Sequence, residues 1–586
     1  MNTIVATDRV ETLLAEMTLA EKIGQMTQVE KNSLTPQDVI QYALGSVLSG
    51  GGGNPDPNTP ANWAAMTQAF AEAALHSRLK IPLIYGADCV HGHNNCKGAV
   101  IFPHNIALGA TRDADLVERI GAATAREILA TNVHWNFAPC LAVPQDIRWG
   151  RTFEGYGQDV ELVTELGAAY VRGLQREGAA ACIKHFVGDG GAEWDTHQPV
   201  EWALFWEMNG GLWKIDQGDV KLAERDFRSL HLAPYLASIA EGALTVMASF
   251  SSWNGQKMHQ HRYLLTDVLK GELGFQGFVV SDWMGINQLS PDYATCVIQS
   301  INAGLDMIMV PYDFKGFITT LTQAVEAGLV PLSRIDDAVR RILWVKHQLG
   351  LFETPYRAPS AVEIIGSADH RALAREAVRK SLVLLKNDQA TLPLSRSVAE
   401  LAVAGVAAHD LGLQSGGWTV EWQGRVGSSI PGTTLMEGVQ QALPGVDLAY
   451  SPTGDFAQGS RAEVSIVVIA EPPYAEGCGD MDDLSLSTAD VELIQRVRAH
   501  CERLVLLVYA GRPLILSAVE PVCDAIVMAW HPGSEGAGVV DVLCGDYPFS
   551  GKLPVEWIAS MDQLPLSHLR ESGAAPLYPY GHGLTT

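Results

Sequence analysis

No uninterrupted apolar run in this 586-residue sequence reaches the roughly 18 to 20 residues that a membrane-spanning helix needs. No membrane association is therefore expected, although 47% of the residues are hydrophobic. Basic charge is also scarce: 41 Lys and Arg stand against 66 Asp and Glu, for a net charge of −25, and no Lys/Arg stripe stands out. Such a surface repels phosphates, so no nucleic-acid partner is expected. None of the nine cysteines forms a C-x-x-C pair, and the N-terminus shows no basic segment followed by an apolar one. These absences predict reduced thiols and a cytoplasmic protein without a visible signal peptide. A periplasmic or secreted protein whose signal has been removed reads the same way. The four glycines at 50–53 lack the Gly-Lys-Ser/Thr of a phosphate loop and read as a flexible turn. His91 and His93 have no third ligand near them, so neither a metal nor another cofactor is expected.

What is present is a long alternation of apolar strands and amphipathic helices. Strands are expected at 81–88, 133–139, 180–189, 245–250, 277–282 and 306–311. Helices at 113–131, 159–177 and 225–242 separate them, each with an acidic residue near its start. A capping box formed by Thr18 and Glu21 opens an earlier helix. This β-then-α order predicts a parallel sheet closed into a (β/α)8 barrel of the TIM type over residues 1–351. A Pro-containing stretch at 352–365 reads as a linker. A second α/β pattern follows over 366–586, with strands at 381–386, 401–406, 464–470, 503–509 and 525–530. It predicts a smaller, doubly wound α/β sandwich domain.

The ionisable residues cluster where such a fold builds its sites. Asp88, Lys184, His185, Asp189 and Asp282 all fall at the C-terminal ends of expected strands, which share one face of a parallel barrel. In the second domain the acidic loop EPPYAEGCGD (471–480) directly follows an apolar strand, again at a carboxyl end. Taken alone, Asp282 reads first as a turn cap and Glu476 as part of a solvated loop. Together they suggest a paired-carboxylate site of the kind glycoside hydrolysis uses. That pairing requires the two domains to meet at the barrel mouth. Residues 192–213 hold four tryptophans between a strand end and the next helix. This long βα loop reads as packing on the barrel or on a partner chain, with substrate contact as the alternative, and its aromatic content points to a homodimer.

Ordered motifs carry a resemblance. YGADCVHG (85–92), RWGRTFE (148–154), KHFVGDGG (184–191), SSWNG (251–255), VSDW (280–283) and GGWTVEW (416–422) are similar to those of two-domain glycoside hydrolases of family 3, the β-glucosidase and exo-β-glucanase type. The likeness runs from about residue 15 to the terminal YGHGLTT. It implies Asp282 as nucleophile and Glu476 as general acid/base. It implies Asp88, Arg151, Lys184, His185 and Asp189 as contacts to the terminal sugar, with Met247 lining the same pocket. Trp283 and Trp418 would sandwich the next sugar, an aromatic face suiting the apolar face of a pyranose. Phe250 stands where the family often has Tyr, so one hydroxyl contact would be missing. The fibronectin-like third domain of longer relatives is expected to be absent. The implied activity is that of an exo-acting retaining β-glucosidase on β-glucosides or gluco-oligosaccharides. β-Xylosidase and β-N-acetylglucosaminidase activities are the enzymatic alternatives. A non-catalytic carbohydrate-binding protein is the alternative of another class.

Overall fold

The structure is a computed structural model that describes residues 8–202 and 210–586. Eight strands form the first sheet: β1 Thr27–Glu30, β2 Ser46–Ser49, β3 Ile84–Ala87, β4 Trp135–Asn136, β5 Ala180–Phe186, β6 Thr245–Ala248, β7 Phe278–Val280 and β8 Ile308–Met309. All neighbours are parallel and follow chain order, with β1 beside β8. A single parallel bridge from Val280 to Met307 closes the ring between β7 and β8. The result is the expected (β/α)8 barrel. β1 and β2 escaped the sequence reading for a physical reason. They are four residues long, and the polar Thr27, Gln28, Glu30, Ser46 and Ser49, all buried, break up any apolar run.

The helices start where their caps predict. Asp113 accepts the Leu116 N–H ahead of Ala114–Ala130, and Asp159 accepts that of Leu162 ahead of Val160–Arg176. The Thr18–Glu21 capping box is formed. The helix expected over 225–242 is less regular. It runs as Glu224–Phe227, a wide turn Arg228–Leu232, and Ala233–Ala240. Pro234 offers no N–H to the helical ladder, which accounts for the widening ahead of it. No helix among the described residues is long and apolar enough to cross a membrane.

The second sheet holds β9 Val383–Asn387, β10 Glu400–Ala404, β11 Asp447–Ser451, β12 Ala462–Ala470, β13 Cys501–Tyr509 and β14 Ala525–Met528, in the order β9-β14-β13-β12-β10-β11. Five strands are parallel, and the edge strand β9 runs antiparallel to β14. β11 was not expected, because Tyr450 and its other exposed residues at the opposite edge give it no apolar run. Apolar layers pack on both faces of this sheet.

Buried polar contacts join the two bodies. Glu127 of the barrel accepts the N–H groups of Val100 and Gly366 and contacts His370 Nδ1 at 2.8 Å. Asn94 donates to the Trp418 carbonyl at 2.6 Å, and Val420 N–H donates to the Asn94 carbonyl at 2.9 Å. The stretch 352–365 is tied to the barrel as it crosses, with Arg357 N–H on the Asn132 side chain at 2.6 Å.

Candidate active site

The carboxyl end of the barrel opens into a cavity of about 450 Å³ whose far wall is the second domain. Asp88 follows β3, Lys184 and His185 end β5, Met247 lies in β6 and Asp282 follows β7. These residues line the cavity together with Arg151, Phe250, Trp283, Trp418 and Glu476. Ten of the side chains expected from the sequence are thus gathered in one place. Asp189 is the exception. It touches His185 Nδ1 and accepts from the Ser249 hydroxyl, one layer behind the cavity wall.

A relay of side chains connects the two carboxylates. Arg151 Nη1 lies 3.5 Å from Glu476 Oε1, and Arg151 Nη2 lies 3.1 Å from His185 Nε2. His185 Nε2 is in turn 3.6 Å from Asp282 Oδ2. Arg151 is itself held by a bidentate pair with Glu154, both bonds being 2.9 Å. Because a guanidinium only donates, His185 accepts at Nε2 and carries its proton on Nδ1, facing Asp189. Burial, with Arg151 and Lys184 beside it, pushes the imidazole well below its ordinary range. His185 is therefore neutral, and Asp189 orients it.

The two carboxyl groups are tuned differently. Burial pushes Asp282 up to about 7, opposed by the positive charges of Arg151 and Lys184. Its Oδ1 accepts the Trp283 N–H at 2.6 Å. Burial raises Glu476 well above the usual carboxylate range, and the neighbouring Asp216 and Asp282 add to the shift against Arg151. Burial thus favours the protonated form of Glu476 more strongly than that of Asp282. A difference of this kind is what one acidic and one nucleophilic carboxyl would need.

The loop carrying Glu476 is fastened from both domains. Glu476 has a left-handed backbone, φ 56°, which a side-chain-bearing residue adopts only where its surroundings impose it. Asp480 supplies much of that constraint. Its Oδ2 accepts N–H groups from Lys214, Ile215 and Asp216, and its Oδ1 accepts that of Gly150, each at 2.9 Å. One carboxylate of the second domain thus ties down two barrel loops. Gly150 is needed for this approach, since a Cβ there would stand 2.0 Å from the Glu476 carbonyl oxygen. Arg512, fully buried, bonds Glu471 Oε1 at 2.9 Å and the carbonyls of Gly479 and Arg148 at 2.6 and 3.0 Å.

The aromatic wall departs from expectation. Trp418 is only 5% exposed, and its Nε1 reaches Glu154 at 3.2 Å. Lys184 Nζ lies 5.8 Å from its ring, so Trp418 belongs to the deep end of the cavity. Four residues on, the half-buried Trp422 reaches the outer part. Left-handed backbone at Trp418 and Val420, φ 58° and 64°, turns the chain between the two. The 50–53 glycines form the turn opposite. A Cβ on Gly50 would meet Trp283 at 3.1 Å, and one on Gly51 would meet the Trp422 Cα at 2.6 Å. The turn expected to be merely flexible is thus a close-fitting part of the cavity. Glu30, Asn32, Ser33 and Tyr312 also line it and escaped the sequence reading. β1 is short and gave no usable signal, and Tyr312 lies just beyond the strand expected at 306–311.

Cys140, His185 and Asp189 bring ligand-type atoms within 4.8 Å of one another. They do not suit a cation. Burial pushes the Cys140 thiol up to about 12, and the Arg151 guanidinium occupies the free nitrogen of His185. Of the tryptophan-rich loop, Trp213 packs against Gly477 beside the acid loop, and Trp194 lies under Arg148 at 4.1 Å. Trp206, another tryptophan of that loop, lies outside the described residues.

Comparison with known proteins agrees with the two-domain fold. Residues 18–345 match the Glycosyl hydrolase family 3 N terminal domain, and residues 382–586 match the Glycosyl hydrolase family 3 C-terminal domain. The chain belongs to glycosyl hydrolase family 3, and it is a glycoside hydrolase. It is 32% identical over 641 residues to a lysosomal beta glucosidase of Dictyostelium discoideum, covering 98% of this chain and 75% of that protein. It is 28% identical to a beta-xylosidase of Formosa agariphila, covering 98% and 79%. Among solved structures, the Q683A mutant of an exo-1,3/1,4-beta-glucanase from a Pseudoalteromonas species superposes with a TM-score of 0.91. That match is at 40% identity and covers 100% of this chain and 96% of the other.

Proposed function

We propose that the chain is an exo-acting retaining β-glucosidase that removes terminal non-reducing β-D-glucosyl residues from oligosaccharides or β-glucosides. One observation carries this reading. Asp282 and Glu476, from different domains, face one cavity whose inner lining of Asp88, Lys184 and His185 is polar and largely enclosed, while Trp283, Tyr312 and Trp422 stand at its more open side. A single terminal sugar fits the inner end, with carboxylates accepting from its hydroxyls and Lys184 and Arg151 donating to them.

In this reading Asp282 attacks the anomeric carbon while Glu476 gives its proton to the departing oxygen. Glu476, now ionised, then takes a proton from the water that cleaves the glycosyl-enzyme. Trp283 and Trp422 flank the first acceptor unit, and Trp418 walls the sugar site. Asp189 acts through His185.

The experiment is hydrolysis of aryl β-D-glucoside, β-D-xyloside and N-acetyl-β-D-glucosaminide side by side. The glucoside is expected to give the highest kcat/KM. A higher value on the xyloside favours the β-xylosidase reading, which the Formosa agariphila relative supports. No turnover on any of the three favours the non-catalytic carbohydrate-binding reading.

Asp480→Ala tests the fastening of the acid loop. Hydrogen bonds to a charged group contribute about 1.5–3 kcal/mol each. Leaving four N–H groups without their acceptor is expected to lower kcat on the glucoside by about ten- to a hundredfold and to lower Tm. Unchanged kcat with only a lower Tm would mean that Asp480 stabilises the fold without positioning Glu476.

A further inference from the structure

A second hollow of about 400 Å³ adjoins the catalytic cavity on the side of β7 and β8, lined by Trp202, Asn287, Ser290, Tyr293, Tyr312 and Asp313 among others. Tyr312 lines both spaces, so the two are neighbours across its ring. It projects from the turn after β8 with 45% of its surface exposed, and its ring meets Trp283 edge-on at 5.8 Å. On the other side stands Trp202, 53% exposed, a large apolar surface to leave in water. It is not loose: its indole Nε1 donates to the Asn287 carbonyl at 2.9 Å, which orients the ring.

We infer that this hollow is a distal acceptor subsite, taking the second and later reducing-side glucosyl units of a β-linked gluco-oligosaccharide whose terminal unit sits between Asp282 and Glu476. The inference rests on the β-glucosidase reading and predicts a preference for longer chains. With the inner end of the cavity enclosed, the remainder of a bound chain has to leave past the open side, where Trp283, Tyr312 and Trp422 stand. Tyr312 then passes it to Trp202. Aromatic rings suit the apolar faces of successive pyranoses. The Ser290 hydroxyl, the Asn287 amide and the Asp313 carboxylate provide donors and acceptors for equatorial hydroxyls. A volume of about 400 Å³ falls within the range of small-molecule pockets. Trp202 comes from the long βα loop that follows β5.

The test compares kcat/KM for an aryl β-glucoside and for β-1,3- and β-1,4-linked gluco-oligosaccharides of two to five units, in wild type and in Trp202→Ala. Wild type is expected to prefer three or more units over two. Trp202→Ala is expected to remove about three- to tenfold of kcat/KM on those longer chains, and to leave the aryl glucoside unchanged. Trp202→Phe, which keeps a ring but not the indole N–H, is expected to fall between them. A loss equal on all substrates, or no dependence on chain length in wild type, overturns the inference. If wild type hydrolyses no glucoside, the β-glucosidase reading has failed instead. Titration of wild type and Trp202→Ala with the same oligosaccharides, followed calorimetrically, then decides the subsite: a Kd indifferent to length and to the substitution overturns it. A second copy of the chain seated on this hollow would show as a dimer in wild type that Trp202→Ala dissociates, with kcat/KM independent of length. That outcome also overturns it.

Discussion

Asp282→Ala is expected to lower kcat/KM on an aryl β-glucoside by on the order of 10⁴- to 10⁶-fold, the scale seen when a covalent nucleophile is removed. The loss should fall on kcat. Asp88, Arg151, Lys184 and His185 remain in the cavity to hold the sugar, so binding of an inhibitory sugar analogue should persist. Azide small enough to occupy the vacated space is expected to restore cleavage and to yield the α-glucosyl azide, the product of one inverting displacement. Turnover near wild type would remove Asp282 from the nucleophile's role. A dead variant that azide does not rescue, with sugar binding also lost, would mean that the substitution had disturbed the site rather than the chemistry. The backbone argues against such a disturbance. The Asp282 N–H is bonded to His259 Nε2 at 2.9 Å, a contact that does not need the side chain.

Glu476→Gln is expected to behave differently with different leaving groups. General acid assistance contributes typically about 10²- to 10⁴-fold, and it matters most where the departing oxygen is strongly basic. Hydrolysis of a gluco-disaccharide should fall by that factor. Formation of the glycosyl-enzyme from a dinitrophenyl glucoside should fall far less. Azide should speed the second step and give the β-glucosyl azide, the opposite anomer to that from Asp282→Ala. Equal losses on good and poor leaving groups would remove Glu476 from the acid's role.

The same pair sets the expected pH profile. Asp282 must be ionised to attack, and burial pushes it up to about 7. Activity should therefore fall as pH drops below about 7 and the carboxylate takes up a proton. Glu476 must be protonated to assist departure, and its carboxyl is raised well above its ordinary range. Activity should fall again on the alkaline side as that proton is lost. Glu476→Gln is expected to abolish the alkaline limb and keep the acid one. Measuring kcat/KM against pH for both proteins checks this assignment. An alkaline limb that survives in the variant would belong to another group.

Much of the site was legible in the linear chain because its signals are local. An apolar strand that stops on Asp88, on Lys184 and His185, or just before Asp282 places those groups at carboxyl ends, and parallel order gathers such ends on one face. Helix caps such as Asp113 and Asp159 act over three residues and were equally visible. β1 and β2 were not, since short strands rich in buried polar residues mimic a loop. That Asp189 orients His185, while Arg151 links it to Glu476, depends on angles that no spacing records.

By itself, then, the sequence determined the alternation that builds two α/β bodies and placed two candidate carboxylates just beyond strand ends. Only the tertiary structure decided that these carboxylates share a cavity, because Glu476 reaches it through contacts with residues far away along the chain. Asp480 on the barrel loops and Gly150 against the acid loop exist as contacts only once the domains are packed. The same packing placed Trp418 inside and Trp422 outside. Periodicity is written in neighbours along the chain, whereas an interface depends on which surfaces fit, and that is settled by burial and hydrogen bonding in three dimensions.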